Sequence, residues 1–199
     1  MENYIKSLHY KPLTTEKKKG HSNELRVEKW KWFSLKEISN VYTGDDLILS
    51  MVDDGEIPVA SHKVENNGVG AMVDKIDNRQ LFDCEKTIAL ADRGCFHASV
   101  QTEDFYIGTR VKALEMKCCV SKGVLIFIAT IVNQETFKYS YGRNCTAGVE
   151  NVRIKLPVKH NDDGIIFIDD EHTYSDEGYV PDWQFMEDYI KSLPYGDRL

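Results

Sequence analysis

The chain has 199 residues, 42 % hydrophobic and 11 % aromatic, with a formal net charge of −7. That is enough for one domain whose core needs no staples, and no apolar run approaches the roughly 18 residues of a membrane-spanning helix. Five cysteines, odd in number and without a C-x-x-C pair, suit unpaired thiols in a reducing cytoplasm better than a disulfide framework, and six histidines at no ligand spacing from a cysteine pair argue against zinc.

The first ten residues, MENYIKSLHY, recur as MEDYIKSLPY at residues 186–195, with eight of ten positions identical at an offset of 185. Met1, Tyr4, Ile5 and Leu8 stand at i, i+3, i+4 and i+7, which predicts one apolar helix stripe. In the second copy Met186, Tyr189, Ile190 and Leu193 repeat it, and Trp183 extends it by a turn. Asp182 is placed to cap this second helix and Pro194 to end it. The polar start of the chain does not read as a signal peptide. Residues 11–24, rich in lysine, read as a linker.

The globular part is expected from residue 25 to 180, flanked by helical segments at 1–10 and 181–199. Ser34 and Glu37 form a capping box for a short helix, which Trp30, Trp32 and Phe33 would pin to the core. Runs at 56–61, 86–92, 105–116, 153–158 and 164–169 predict strands. The segment 122–139 carries both signals: its β-branched residues favour a strand, while its length and the apolar positions 124, 125, 128, 131 and 132 favour a helix. The fold class expected is mixed α/β, a single domain with a curved sheet or partial barrel.

Charge is unevenly distributed. Residues 161–199 contain eleven acidic side chains against Lys191 and Arg198, so the first 160 residues carry a net +2. A near-neutral body permits a DNA partner without pointing to one. The acidic stretch 161–182 lacks the D-x-D-x-D-G order of a calcium loop and reads as a solvated hairpin. No dinucleotide or phosphate-binding glycine loop, G-x-S-x-G elbow, H-E-x-x-H helix or D/N-P-P-Y/F signature occurs. No cofactor, metal or catalytic residue is therefore expected, and the chain reads as a binding module.

Six phrases in order, IPVAS (57–61), NNGV (66–69), IALADRG (88–94), LIFIATIVNQETFKYSYGR (125–143), IKLPV (154–158) and PDWQFMEDYIKSLPY (181–195), make the chain resemble a known family. It resembles the target recognition domains of specificity subunits of type I, and related type IIB and IIG, restriction–modification systems. The resemblance covers most of residues 30–195. It implies a cytoplasmic, non-catalytic reader of double-stranded DNA that works with methyltransferase subunits and, in a full complex, a restriction subunit. Such subunits carry two recognition domains, each followed by a helix, and each domain reads half of a split target. The first copy of the repeat has no domain before it here. The chain therefore resembles half of a specificity subunit, able to pair with itself or another half through its terminal helices. Two alternatives stay open: the recognition part of a fused restriction–methylation enzyme, or an orphan protein that binds methyltransferase subunits without reading DNA.

Base edges are read by Arg, Lys, Asn, Gln, Asp and Glu, whereas phosphate contacts only position the protein. KYSYGR suits a backbone clamp, with Lys138 and Arg143 on phosphates and Tyr139, Ser140 and Tyr141 donating hydroxyls or packing. His62, Lys63, Arg79, Gln80 and Arg93 are the base-reading candidates. Asn66 and Asn67 before Gly68 predict a left-handed turn.

Overall fold

The computed structural model describes residues 25–139, 142–194 and 196. The expected first helix, with Met1, Tyr4, Ile5 and Leu8, the linker at 11–24, and Ser140 and Tyr141 lie outside them. Among the described residues, nine strands alternate with three short or medium helices in a mixed α/β arrangement. In chain order they are β1 Lys31–Ser34, α1 Leu35–Ile38, β2 Ser39–Thr43, β3 Asp54–Ala60, β4 Val69–Val73, β5 Thr87–Ala91 and β6 His97–Val100. There follow β7 Tyr106–Ile107, β8 Val111–Met116, α2 Lys122–Asn133, β9 Arg153–Leu156 and α3 Trp183–Ser192.

The strands divide into three sheets, ordered β1-β9, β2-β8-β5-β6 and β4-β3-β7, and none of them closes into a barrel. All pairs are antiparallel except β3 with β7. β5, with the sequence TIALA, is buried along its whole length. Its period-2 alternation sends Ile88 and Leu90 into the main core and Ala89 into a second core, shared with Phe82, Phe105 and Ala113. The small residues on that second side let the three-stranded sheet approach.

Segment 122–139 resolves to helix. Ser121 caps it, its hydroxyl accepting from the Val124 amide at 3.4 Å, and the positions that fitted a helix (124, 125, 128 and 132) are buried in the main core. Burial of one face outweighs the modest propensity cost of Ile and Val in a helix. The run 105–116, expected as one strand, breaks at Gly108, Thr109 and Arg110, where Arg110 takes φ +67°. A Cβ on Gly44 would lie 2.1 Å from the Gly108 carbonyl oxygen, so two backbones cross there at a distance only glycine permits. The run 164–169 forms isolated bridges, His160 with Ile166 and Ile168 with Tyr179, rather than a strand. Trp30 and Phe33 enter the core as expected. Trp32 does not: it lies on the outer face of β1, with the Arg153 guanidinium 5.9 Å and the Lys155 ammonium 5.3 Å from its ring centroid.

α1 has the expected capping box, the Glu37 carboxylate accepting from the Ser34 amide at 2.5 Å. At the start of α3 the Asp182 carboxylate accepts from the Phe185 amide at 2.9 Å, as its position predicted. Asp182→Ala should cost about 1 kcal/mol of stability, the usual loss for an N-cap carboxylate, which a denaturant midpoint would read. α3 lies against α2. Phe127 and Tyr189 meet edge to face at 5.8 Å, and Met186 and Ile190 belong to the main core.

Candidate nucleic-acid interface

The ends of β5 and β8 define the part of the molecule where the chemistry collects. Ala91 pairs with Val111, and the ladder runs one step further, the Asp92 amide donating to the Arg110 carbonyl at 3.2 Å. Five loops meet around this edge, those after β2, β3, β5, β7 and α2. The Gly44 amide donates to the Val111 carbonyl at 2.9 Å, and Thr109 donates its hydroxyl to Asp46 at 3.1 Å. The Cys145 amide donates to the Asp92 carbonyl at 3.0 Å, the Gly94 amide to Asn144 Oδ1 at 3.1 Å, and the Cys95 thiol to the His62 carbonyl at 3.4 Å.

Beneath the loops lies a buried ion pair. The Asp92 carboxylate, 1 % exposed, faces Lys112 Nζ at 3.4 Å, and Lys112 also donates to the Thr43 hydroxyl at 2.9 Å. Among the described residues, neither carboxylate oxygen has a hydrogen-bond partner. Burial pushes the Cys145 and Cys95 thiols up and the His97 imidazole down, so the thiols stay protonated and the imidazole neutral at physiological pH. The Tyr139 hydroxyl is pushed up to about 12, by burial first and then by its hydrogen bond with Cys145.

The candidate residues from the sequence fare differently here. His62 and Lys63 are exposed on the loop after β3. Arg93 is exposed on the turn after β5, where it lines one open cleft of about 300 Å³ with Gly94, Arg110, Gly142 and Asn144. Arg143 is exposed between two lining residues of that cleft. Lys138 is exposed, paired with Glu135 and 5.5 Å from the Phe137 ring centroid. Tyr139 packs on Phe96 with ring centroids 4.5 Å apart, so of its two expected roles it takes the packing one.

Arg79 is corrected more sharply. Its guanidinium donates to the Asp45 carbonyl at 2.9 Å and the Ile107 carbonyl at 2.6 Å, with a longer contact to Asp46, so its fork ties two loops together rather than pointing outward. Gln80 beside it is exposed. Asn66, Asn67 and Gly68 all have positive φ, the predicted turn, and the Asn67 side-chain NH2 donates to the Val100 carbonyl at 2.8 Å. Of the residues expected on a pairing surface, Met186 (0 % exposed) and Ile190 (7 %) are enclosed by the domain's own core. Trp183 and Tyr189 are half-buried and Leu193 is 41 % exposed.

Two contributors escaped the sequence reading. Arg110 was hidden in a run read as continuous strand, although Gly108 two residues earlier signalled a break. Asn144 had no signal beyond its place in a polar loop. Away from this edge, Asp83, Cys84 and Asp104 bring three ligand-type atoms within 4.8 Å, with Asp104 accepting from the Cys84 amide.

Comparison with known proteins places the chain in a family. The family model described as type I restriction modification DNA specificity domain matches residues 27–168. The chain belongs to this family. The family's domain thus takes in the strands from β1 to β9 and every loop at the edge just described. A relative, the type II restriction enzyme BgcI specificity subunit S.BcgI of Heyndrickxia coagulans, is 25 % identical over 138 residues, which cover 68 % of this chain and 35 % of that protein. A solved type I restriction–modification S subunit from M. genitalium shares the fold with a TM-score of 0.50 at 14 % identity, over 72 % of this chain and 37 % of that one. The chain thus spans about a third of the length of the specificity subunits it matches. Among the described residues no helix is long and apolar enough to cross a membrane.

Proposed function

We propose that this chain is a sequence-specific DNA-binding module, equivalent to half of a specificity subunit, that directs methyltransferase and restriction subunits to one half of a split duplex target. It performs no chemistry itself. The observation that carries this reading is the family match over residues 27–168. The edge where β5 and β8 end supports it, because cationic and amide side chains from several loops converge there beside a strand, β5, buried along its whole length.

In this reading the phosphate clamp is Lys138 and Arg143, and base readout falls to His62, Lys63 and Gln80. Arg79 serves as a positioning residue for the loops around it. The second half of the target is read by a second copy or another half, joined through Leu193 and the outward parts of Trp183 and Tyr189 on α3 together with the residues 1–10. Methylation by the assembled complex tests the reading. With its methyltransferase subunit the chain should impose one sequence motif, and modification without sequence preference would instead favour the orphan binder.

The clamp has its own expected result. Lys138→Ala combined with Arg143→Ala should weaken duplex affinity roughly tenfold or more on every sequence and lower the salt slope by about two. An unchanged slope in a salt titration would remove both residues from the clamp.

A further inference from the structure

We infer that the cleft between Arg93 and Arg110 holds a phosphodiester group of the duplex backbone, with Arg110 as its principal anchor. The inference rests on the DNA-binding reading above and deepens it at one place. Its lining consists of Arg93, Gly94, Arg110, Gly142 and Asn144, with no carboxylate among them. Asn144 uses its carbonyl oxygen to accept from the Gly94 amide, which leaves its NH2 group as a donor. The cleft therefore offers two guanidiniums and an amide and no side-chain anion, a donor set that matches phosphate oxygens. The neighbouring cleft beside Arg79 is lined by Asp45 and Asp77, whose charges repel the same ligand.

The arginines of the edge are separated by what already engages them. Arg79 is held by backbone carbonyls. Among the described residues, neither the Arg93 nor the Arg110 guanidinium has a hydrogen bond or an ion pair. The nearest buried acid, Asp92, is turned inward onto Lys112. Among the described residues, a Cβ on Gly94 or Gly142, at φ +85° and +90°, would meet nothing within 4 Å.

The backbone of Arg110 gives an independent reason. At φ +67° it occupies the left-handed region, where glycine would sit without strain and an arginine does not. A strained arginine with no internal partner, at the rim of an anion-compatible cleft, indicates a side chain held for a ligand.

Duplex binding by the full chain tests this, using a labelled mixed-sequence duplex across a range of salt concentrations. Arg110→Gly should keep the thermal midpoint, because glycine accepts the same φ, yet lose roughly tenfold in affinity on all sequences, with a salt slope lower by about one. Arg93→Ala should do the same, and Arg110→Lys should retain the slope. Unchanged affinity and slope in both loss variants would overturn the inference, as would a loss confined to the cognate target, which is the mark of base reading. Inorganic phosphate supplies the last arm: thermal stabilisation by it that disappears in Arg110→Gly while duplex affinity does not change would make this a free-anion site. A wild-type chain without duplex affinity would sink the DNA-binding reading itself and the cleft with it. Binding by wild type and variants alike would sink the cleft alone.

Discussion

Asp92→Ala should destabilise the protein by about 3–5 kcal/mol, the cost of leaving a buried charge without its partner. Lys112 has 8 % side-chain exposure and lies on the α2 side of the four-stranded sheet, between β2 and β5. Its remaining hydrogen bond, to the Thr43 hydroxyl, is neutral and cannot replace a carboxylate. The wild-type pair is itself weakly built, since the Asp92 oxygens accept no hydrogen bonds and the separation is 3.4 Å. Desolvation of two ions is then poorly offset. The double variant Asp92→Ala with Lys112→Met should accordingly recover most of the lost stability, as expected when an ion pair is replaced by apolar groups. Chemical denaturation of the four proteins of this cycle measures both effects. Equal losses in the single and double variants would mean that the loss does not come from an unpaired Lys112 ammonium.

The second large effect lies in α3. Met186→Ala should cost about 2–5 kcal/mol, the range for truncating a fully buried methionine, whereas Leu193→Ala should stay within about 0.5 kcal/mol. The two residues belong to the same predicted stripe, so the stripe alone does not distinguish them. What does is the position of α2: Met186 and Ile190 join its main core, while Leu193 follows the last turn of α3 and is 41 % exposed. A helix that served only to join two modules would give small and similar changes at both positions. Near-equal denaturation midpoints for the two variants would therefore detach α3 from the domain's stability.

The sequence was most legible where local chemistry and burial agree. Asp182 capped its helix, the asparagines before Gly68 turned left-handed, and most of the apolar positions that fitted a helix in 122–139 are the ones α2 buries. Trp32 was misread because an aromatic between buried neighbours is indistinguishable, in sequence, from one facing outward with Arg153 and Lys155 across the sheet. The pairing of β1 with β9 spans more than a hundred residues, and no local pattern announces it. The same holds at the edge. Arg79 and Arg93 look alike as exposed polar candidates, and only the carbonyls of Asp45 and Ile107, brought near by tertiary folding, separate the engaged arginine from the available one. Arg110 required knowing that a strand stops.

β5 is buried on both faces, with one core on its Ile88 side and another on its Ala89 side, and both cores close below the level of Arg93, Thr109 and Asn144. Arg93, Thr109 and Asn144 are exposed and therefore contribute little apolar burial to the fold. Under the proposed reading, residues there can be replaced and the target changed without disturbing either core. Only Asp92, at the root of one loop, is bound to both concerns. Diversification should skirt that position and spread over the residues around it.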